Sequence, residues 1–206
     1  MADDIQNIGP VTAHWHRSPN WIKPMKLGAR LSAQIVRYIG TPDFLVAENK
    51  EAPRRLQMTF ANPDKAKEKE LLDFFLSQKA RLHKFWLPSW QEDFVLAKNY
   101  LANSAYLEVK YNYFDYARRG YERIMLLLHG GDKIVRKISS ATRHGDVIRL
   151  GLATAIPRDI LPSEVTLFSF YLLCRFDSDS LKIRHTTAHY SSVVAEFYEL
   201  VREYPK

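Results

Sequence analysis

Residues Leu71–Phe94, LLDFFLSQKARLHKFWLPSWQEDF, decide the fold class of this chain. Leu71, Leu72, Phe74 and Phe75 fall at i, i+1, i+3 and i+4, the spacing that gathers apolar side chains on one helix face. Upstream, Asn62 is suited to cap the helix, Pro63 to its first position and Asp64 to the positive end of its dipole. Lys79 and Arg81 bring cations to the carbonyl end. Together these signals predict a helix over about 63–81. A short basic exit follows, then an aromatic strand in which Pro88 lies between Trp86 and Trp90. Leu71, Leu72, Phe75 and Trp86 are expected in the core, with Phe170 from a later strand. The stretch contains no catalytic motif. It is a joint between a helix and a strand.

Outward from that joint the chain is punctuated by strand patterns and turns. Arg54–Phe60 alternates, with Leu56, Met58 and Phe60 on one side and Arg55, Gln57 and Thr59 on the other, as a half-buried strand requires. Arg30–Ile39 alternates partially through Leu31, Ala33 and Ile35, and Gly40-Thr41-Pro42-Asp43 supplies a turn. Beyond Phe94 strands are expected at Ala105–Tyr111, Arg123–His129, Lys133–Ile138 and Val147–Leu150. Gly130-Gly131-Asp132 and His144-Gly145-Asp146 turn the chain between them. Leu167–Phe176 is apolar enough to be a central strand, Leu181–Arg184 alternates, and Val193–Val201 closes the pattern. Residues 1–20, with Pro10, Pro19 and no period, read as an N-terminal arm.

Composition narrows the function classes. Forty-six per cent hydrophobic residues and mixed charge describe a globular chain and exclude a disordered one. The acidic start, MADDIQNIGPV, lacks the apolar stretch of a signal peptide, and the run Ile124–Leu128 falls far short of a membrane span. Cys174 is the single cysteine and sits in the apolar run FSFYLLCRF, so no internal disulfide forms and an inert buried thiol is expected. The net charge of +7 permits contact with phosphates, yet the basic residues are scattered without a long run.

No reaction is written in the motifs. His14 and His16 share a face if their segment is extended, but a zinc site needs a third and fourth ligand that the sequence does not supply nearby. Asp177 and Asp179 in FDSDSL lack the further ligands of a calcium loop and suit a turn. There is no phosphate-binding loop, dinucleotide fingerprint or nucleophile elbow. The chain is therefore expected not to be an enzyme, and neither metal nor cofactor is expected. The run Tyr111–Tyr116 followed by Arg118 and Arg119 mixes rings with cations. That mixture suits base stacking on a small barrel and equally suits a protein interface. Both readings stand on these residues.

Three segments, taken in order, resemble phage distal tail and minor tail proteins. They are Pro19-Asn20-Trp21 followed by Pro53-Arg54-Arg55, the helix with LHKFWLPSW, and Cys174-Arg175-Phe176-Asp177-Ser178-Asp179-Ser180-Leu181. The resemblance implies a mostly β, α+β fold: a tail-tube-like β-sandwich with one main helix, formed by residues 21–94 and 166–206, and a small β-barrel inserted at 95–165. It implies a structural adaptor between tail tube and baseplate or tail tip, assembled as a homo-oligomeric ring, commonly of six copies. Its place would be the virion tail, reached through assembly in the host cytoplasm, with the tube protein and the baseplate hub or tip proteins as partners. Candidate interface residues are Trp15, Trp21, Tyr113, Tyr116, Arg118 and Arg119, because Trp, Tyr and Arg are the commonest interface anchors. The alternative is a basic small-barrel module that binds nucleic acid.

Overall fold

Strand signals in the sequence outnumber helix signals, and the computed structural model is accordingly mostly β, with one α-helix among the described residues. It describes residues 13–29, 53–112 and 121–201, together with the backbone of short strands at 4–5, 33–36 and 44–47. In chain order the strands are β1 (Asp4–Ile5), β2 (Lys26–Ala29), β3 (Ala33–Val36), β4 (Phe44–Ala47) and β5 (Arg54–Asn62). The helix α1 (Lys65–Ser77) comes next, then β6 (Phe85–Pro88), β7 (Tyr106–Lys110), β8 (Arg123–Leu128), β9 (Lys133–His144) and β10 (Val147–Leu152). A 3-10 turn at Pro162–Glu164 leads into β11 (Val165–Phe176), followed by β12 (Ile183–His185) and β13 (Ser191–Glu199). No described helix is long and apolar enough to cross a membrane.

The chain divides into two compact units. The first comprises residues 1–16, 85–173 and 203–206, and the second residues 17–84 and 174–202. From sequence, the joint strand at 85–88 is expected in the same body as the helix. Instead β6 belongs to the first unit and α1 to the second, and the division also cuts β11 after Leu173.

In the first unit, β11, β8, β9, β10 and β7 are neighbours in that order, with β6 on β11 and β1 parallel to β9. The hairpins turn where Gly131 and Gly145 adopt φ of 85° and 61°, which a side chain would resist. Alternation works as expected on β7, whose Leu107 and Val109 are buried between exposed Tyr106 and Lys110. The strand β8 is buried almost throughout, which explains the continuous apolar run IMLLL that follows its buried Arg123. Phe94 stands against Phe168 and Phe170 with ring centroids 4.7 and 4.6 Å apart.

In the second unit, β2, β5, β13 and the end of β11 are neighbours, and β12 adds to β13. Leu56, Met58 and Phe60 are buried on β5, opposite Phe197, Ala195 and Val193 of β13. Helix α1 closes this core with Leu71 and Phe75, and Phe75 meets Phe176 edge-on at 4.9 Å. The hairpin β3–β4 forms a separate two-stranded sheet.

Three details of the joint differ from the sequence reading. The helix cap is Asp64, whose carboxylate accepts from the Lys67 N–H at 2.7 Å, so neither Asn62 nor Pro63 lies in the helix. Asn62 is the last residue of β5, where its side chain donates to Ser191. The helix ends at Ser77 and not at 81, because Lys79 and Ala80 take left-handed φ of 49° and 55°. Their N–H groups bond back to Leu76 and Phe75, which satisfies the last carbonyls without a glycine. Finally, Leu72 is 37% exposed: with Leu71 and Phe75 turned inward, Leu72 and Leu76 form a neighbouring stripe that faces outward.

Candidate functional site

Residues 13–20, expected as the end of an arm, are paired into the fold. The Trp15 N–H donates to the Trp86 carbonyl and the Trp86 N–H to Ala13, both at 2.9 Å, forming a parallel bridge centred on His14 and Trp86. Trp15 is only 4% exposed, so it fills its own unit and is not available as an anchor for a neighbouring molecule. Its aromatic area gains more from burial at home than from hanging in water. Further along, the Arg17 guanidinium donates to the carbonyls of Lys67 and Ala61 and to the Asn62 side chain. The Asn20 N–H reaches the Thr59 carbonyl at 2.6 Å.

The extended backbone at 13–16 puts His14 and His16 on one side, as the spacing suggests. What they face is the hydroxyl of the fully buried Tyr171. His14 Nδ1 lies 2.6 Å from it and His16 Nε2 also contacts it. A phenol carries one proton, so it donates to one imidazole and accepts from the other. Trp86 stacks on Tyr171 at 5.6 Å, and the Arg123 guanidinium lies 4.5 Å above the Trp86 ring. Burial holds the His14 imidazole below its ordinary pKa. The partner of the histidine pair is thus a tyrosine 155 positions away, which no local motif reveals. Among the described residues no group of three or more His, Cys, Asp or Glu is placed to hold a metal ion.

The other chemically suggestive residues are structural. Cys174 is fully buried, and burial pushes its thiol well up, out of the reactive range. Beside it Arg54 clasps Glu199 through two nitrogens, at 2.8 and 2.6 Å. Asp177 pairs with Arg55 at 3.3 Å, and Asp179 with Arg81, whose hydrogen bond holds that carboxyl below its usual range. Buried Asp93 accepts from the Phe170 N–H at 2.8 Å and from Ser89.

Aromatic–cation pairs occur on the first unit among the described residues. Arg149 lies 4.7 Å and Lys98 5.6 Å from the Tyr106 ring centre, and Arg143 lies 3.9 Å from that of Tyr111. Glu108 takes both Lys98 and Arg149, each at 2.6 Å, and their hydrogen bonds lower its pKa, Lys98 foremost. Two of the three cations are therefore already engaged by a carboxylate. Tyr113, Tyr116, Arg118 and Arg119 lie outside the described residues.

The remaining candidate, Trp21, opens an exposed apolar surface of the second unit. Trp21 is 58% exposed, Ile22 92% and Leu27 48%. They precede and occupy β2, the last strand of its sheet, in which every residue is exposed. One side of β2 pairs with β5, from Lys26 opposite Gln57 to Ala29 opposite Arg54. On the other side, among the described residues, its backbone has no partner. An open strand edge flanked by apolar side chains is a ready template for another chain. Sequence reasoning singled out Trp21 but missed Ile22 and Leu27, since exposure depends on β2 being terminal. The chain matches no known protein family and no curated protein in sequence.

Proposed function

We propose that this chain is a structural component of a bacteriophage tail, a distal-tail-type adaptor that joins the tail tube to the baseplate or tip as a homo-oligomeric ring. The observation that carries the assembly reading is the open edge of β2 with Trp21, Ile22 and Leu27 exposed along it. A ring closes through head-to-tail contacts between two different patches of each copy. A strand edge supplies one such patch, because its backbone groups and its alternate side chains both seek a partner. The neighbouring hairpin β3–β4, AQIV paired with FLVA, pairs with no other described strand. A lone two-stranded hairpin is marginal in water, and assembly would give it cover. The tail assignment within this reading rests on the three resembling segments. On it the protein has no reaction to perform and no cofactor, and it resides in the virion after assembly in the host cytoplasm.

Electron microscopy of the purified protein tests the reading, with rings of uniform copy number expected. A phage lacking this chain should accumulate heads without working tails, and infectious particles from such a phage would overturn it. The second reading, a nucleic-acid-binding barrel, draws on Arg143 over Tyr111 and the Tyr106 cluster. Glu108 weakens it by placing a carboxylate among those cations. Tight single-stranded DNA binding that falls steeply with salt would favour that reading.

A further inference from the structure

Strand β13 is paired along one side with β5, but its other side is shared. β12 takes Ser191–Val193 and the end of β11 takes Phe197–Glu199. Between these partners the loop from Asp177 to Lys182 swings away from Val194–Glu196, touching it through the Asp177 N–H, which donates to the Glu196 carbonyl at 2.8 Å. The gap is a cleft of about 450 Å3 within the second unit. That volume lies in the range of small-molecule sites.

Its chemistry is two-sided. Phe176, Leu181, Val194 and Ala195 give it an apolar floor, and Lys23, Lys182 and Arg184 bring three cations to its rim. None of the three cations makes an ion pair or side-chain hydrogen bond among the described residues. Ser192 adds a neutral hydroxyl, and Ser178 and Ser180, whose hydroxyls bond each other at 3.2 Å, add another. The loop's own carboxylates do not neutralise this rim, because Asp177 is held by Arg55 and Asp179 by Arg81. Glu196 is the one acid in the lining, and it already accepts from Gln57 at 2.7 Å. Cations without an ion-pair partner among the described residues, lining a partly apolar cleft, are what an anion with an apolar body needs.

We propose that this cleft binds a compact organic anion, a phosphate-type group carried on an apolar or aromatic body. The anion sits among Lys23, Lys182 and Arg184, and the body lies on Leu181 and Val194. The cleft is bounded at both ends by β11 and β12, so it takes a compact group and not a long extended strand.

The test is titration calorimetry of the full chain with three probes: phenyl phosphate, inorganic phosphate and phenol. Phenyl phosphate should bind saturably, at least about tenfold more tightly than either fragment, since only it uses both halves of the cleft. The double variant Lys182→Ala/Arg184→Ala should weaken it at least about tenfold, with the melting temperature unchanged because both residues are exposed. Leu181→Ser should weaken phenyl phosphate and leave inorganic phosphate as it was. Added salt should weaken both anions. Phenyl phosphate binding no more tightly than inorganic phosphate would overturn the proposal, as would no saturable binding of it up to about 10 mM. So would a double variant that folds and binds like the parent chain.

Discussion

In the first unit the outer sides of β6 and β7 are covered from within the chain. Residues 13–16 run along β6, with Trp15 buried and the two histidines on Tyr171. Residues 95–100 run along β7, where Ala97 donates to Glu108 and Lys110 to Val95, both at 2.9 Å, and the Tyr100 hydroxyl takes the Glu108 N–H. In the second unit nothing described covers β2, and Trp21, Ile22 and Leu27 stand in solvent beside it. Protein chains commonly blunt a free edge with charge, proline or a covering segment. Here the first unit does so on β6 and β7, whereas among the described residues the edge of β2 is open, with Lys26 its one charged residue. Among the described residues, the contrast leaves the edge of β2 as an unpaired strand side.

The largest effect should come from uncovering an edge in the first unit. Trp15→Ala removes a nearly buried indole and is expected to cost about 3–5 kcal/mol in denaturant unfolding. A loss under about 1 kcal/mol would mean that residues 13–16 are only loosely attached and the edge of β6 is effectively open. Next, Tyr171→Phe strips both imidazoles of their shared hydroxyl and should cost about 1–3 kcal/mol, read in the same melts. An unchanged midpoint would show that the histidines find other partners and do not fasten the covering segment.

The same attachment should respond to pH. Burial depresses the His14 pKa, so the folded state resists protonation there. A group with a lower pKa folded than unfolded contributes stability that is fully present above its unfolded value, about 6.5 for His, and lost as pH falls through the folded value. The melting temperature should therefore drop between about pH 7.5 and pH 5, and His14→Gln should flatten that drop. An equal drop in the variant would assign the acid sensitivity to other groups.

How much of this was legible beforehand depended on distance along the chain. The alternation of β5, the hairpin turns at Gly131 and Gly145 and the central strand β11 are local patterns, and the structure contains all of them. The helix was legible in its middle and misjudged at both ends. Asp64 outcompeted Asn62 as cap because Asn62 is claimed by β5 and Ser191, 129 positions away. At the other end Lys79 and Ala80 adopt the left-handed turn that composition assigns to glycine. The end of the arm, residues 13–16, pairs into the fold for a similar reason. His14, Trp15 and His16 have no local periodicity, and their partners Trp86 and Tyr171 lie far along the chain. The open edge of β2 could not be read from its own four residues, since a strand is terminal only with respect to its sheet.

The smallest effect on folding, and the most decisive on assembly, belongs to that open edge. Ile22→Lys with Leu27→Lys should change unfolding free energy by no more than about 0.5 kcal/mol, because both side chains already face solvent. Size-exclusion chromatography with light scattering, run on the parent chain and this double variant at about 100 μM, then compares their masses directly. The expected result is a closed ring for the parent and a folded monomer for the variant. A parent chain that remains monomeric, or a variant that forms the same ring, would contradict the role given to the β2 edge.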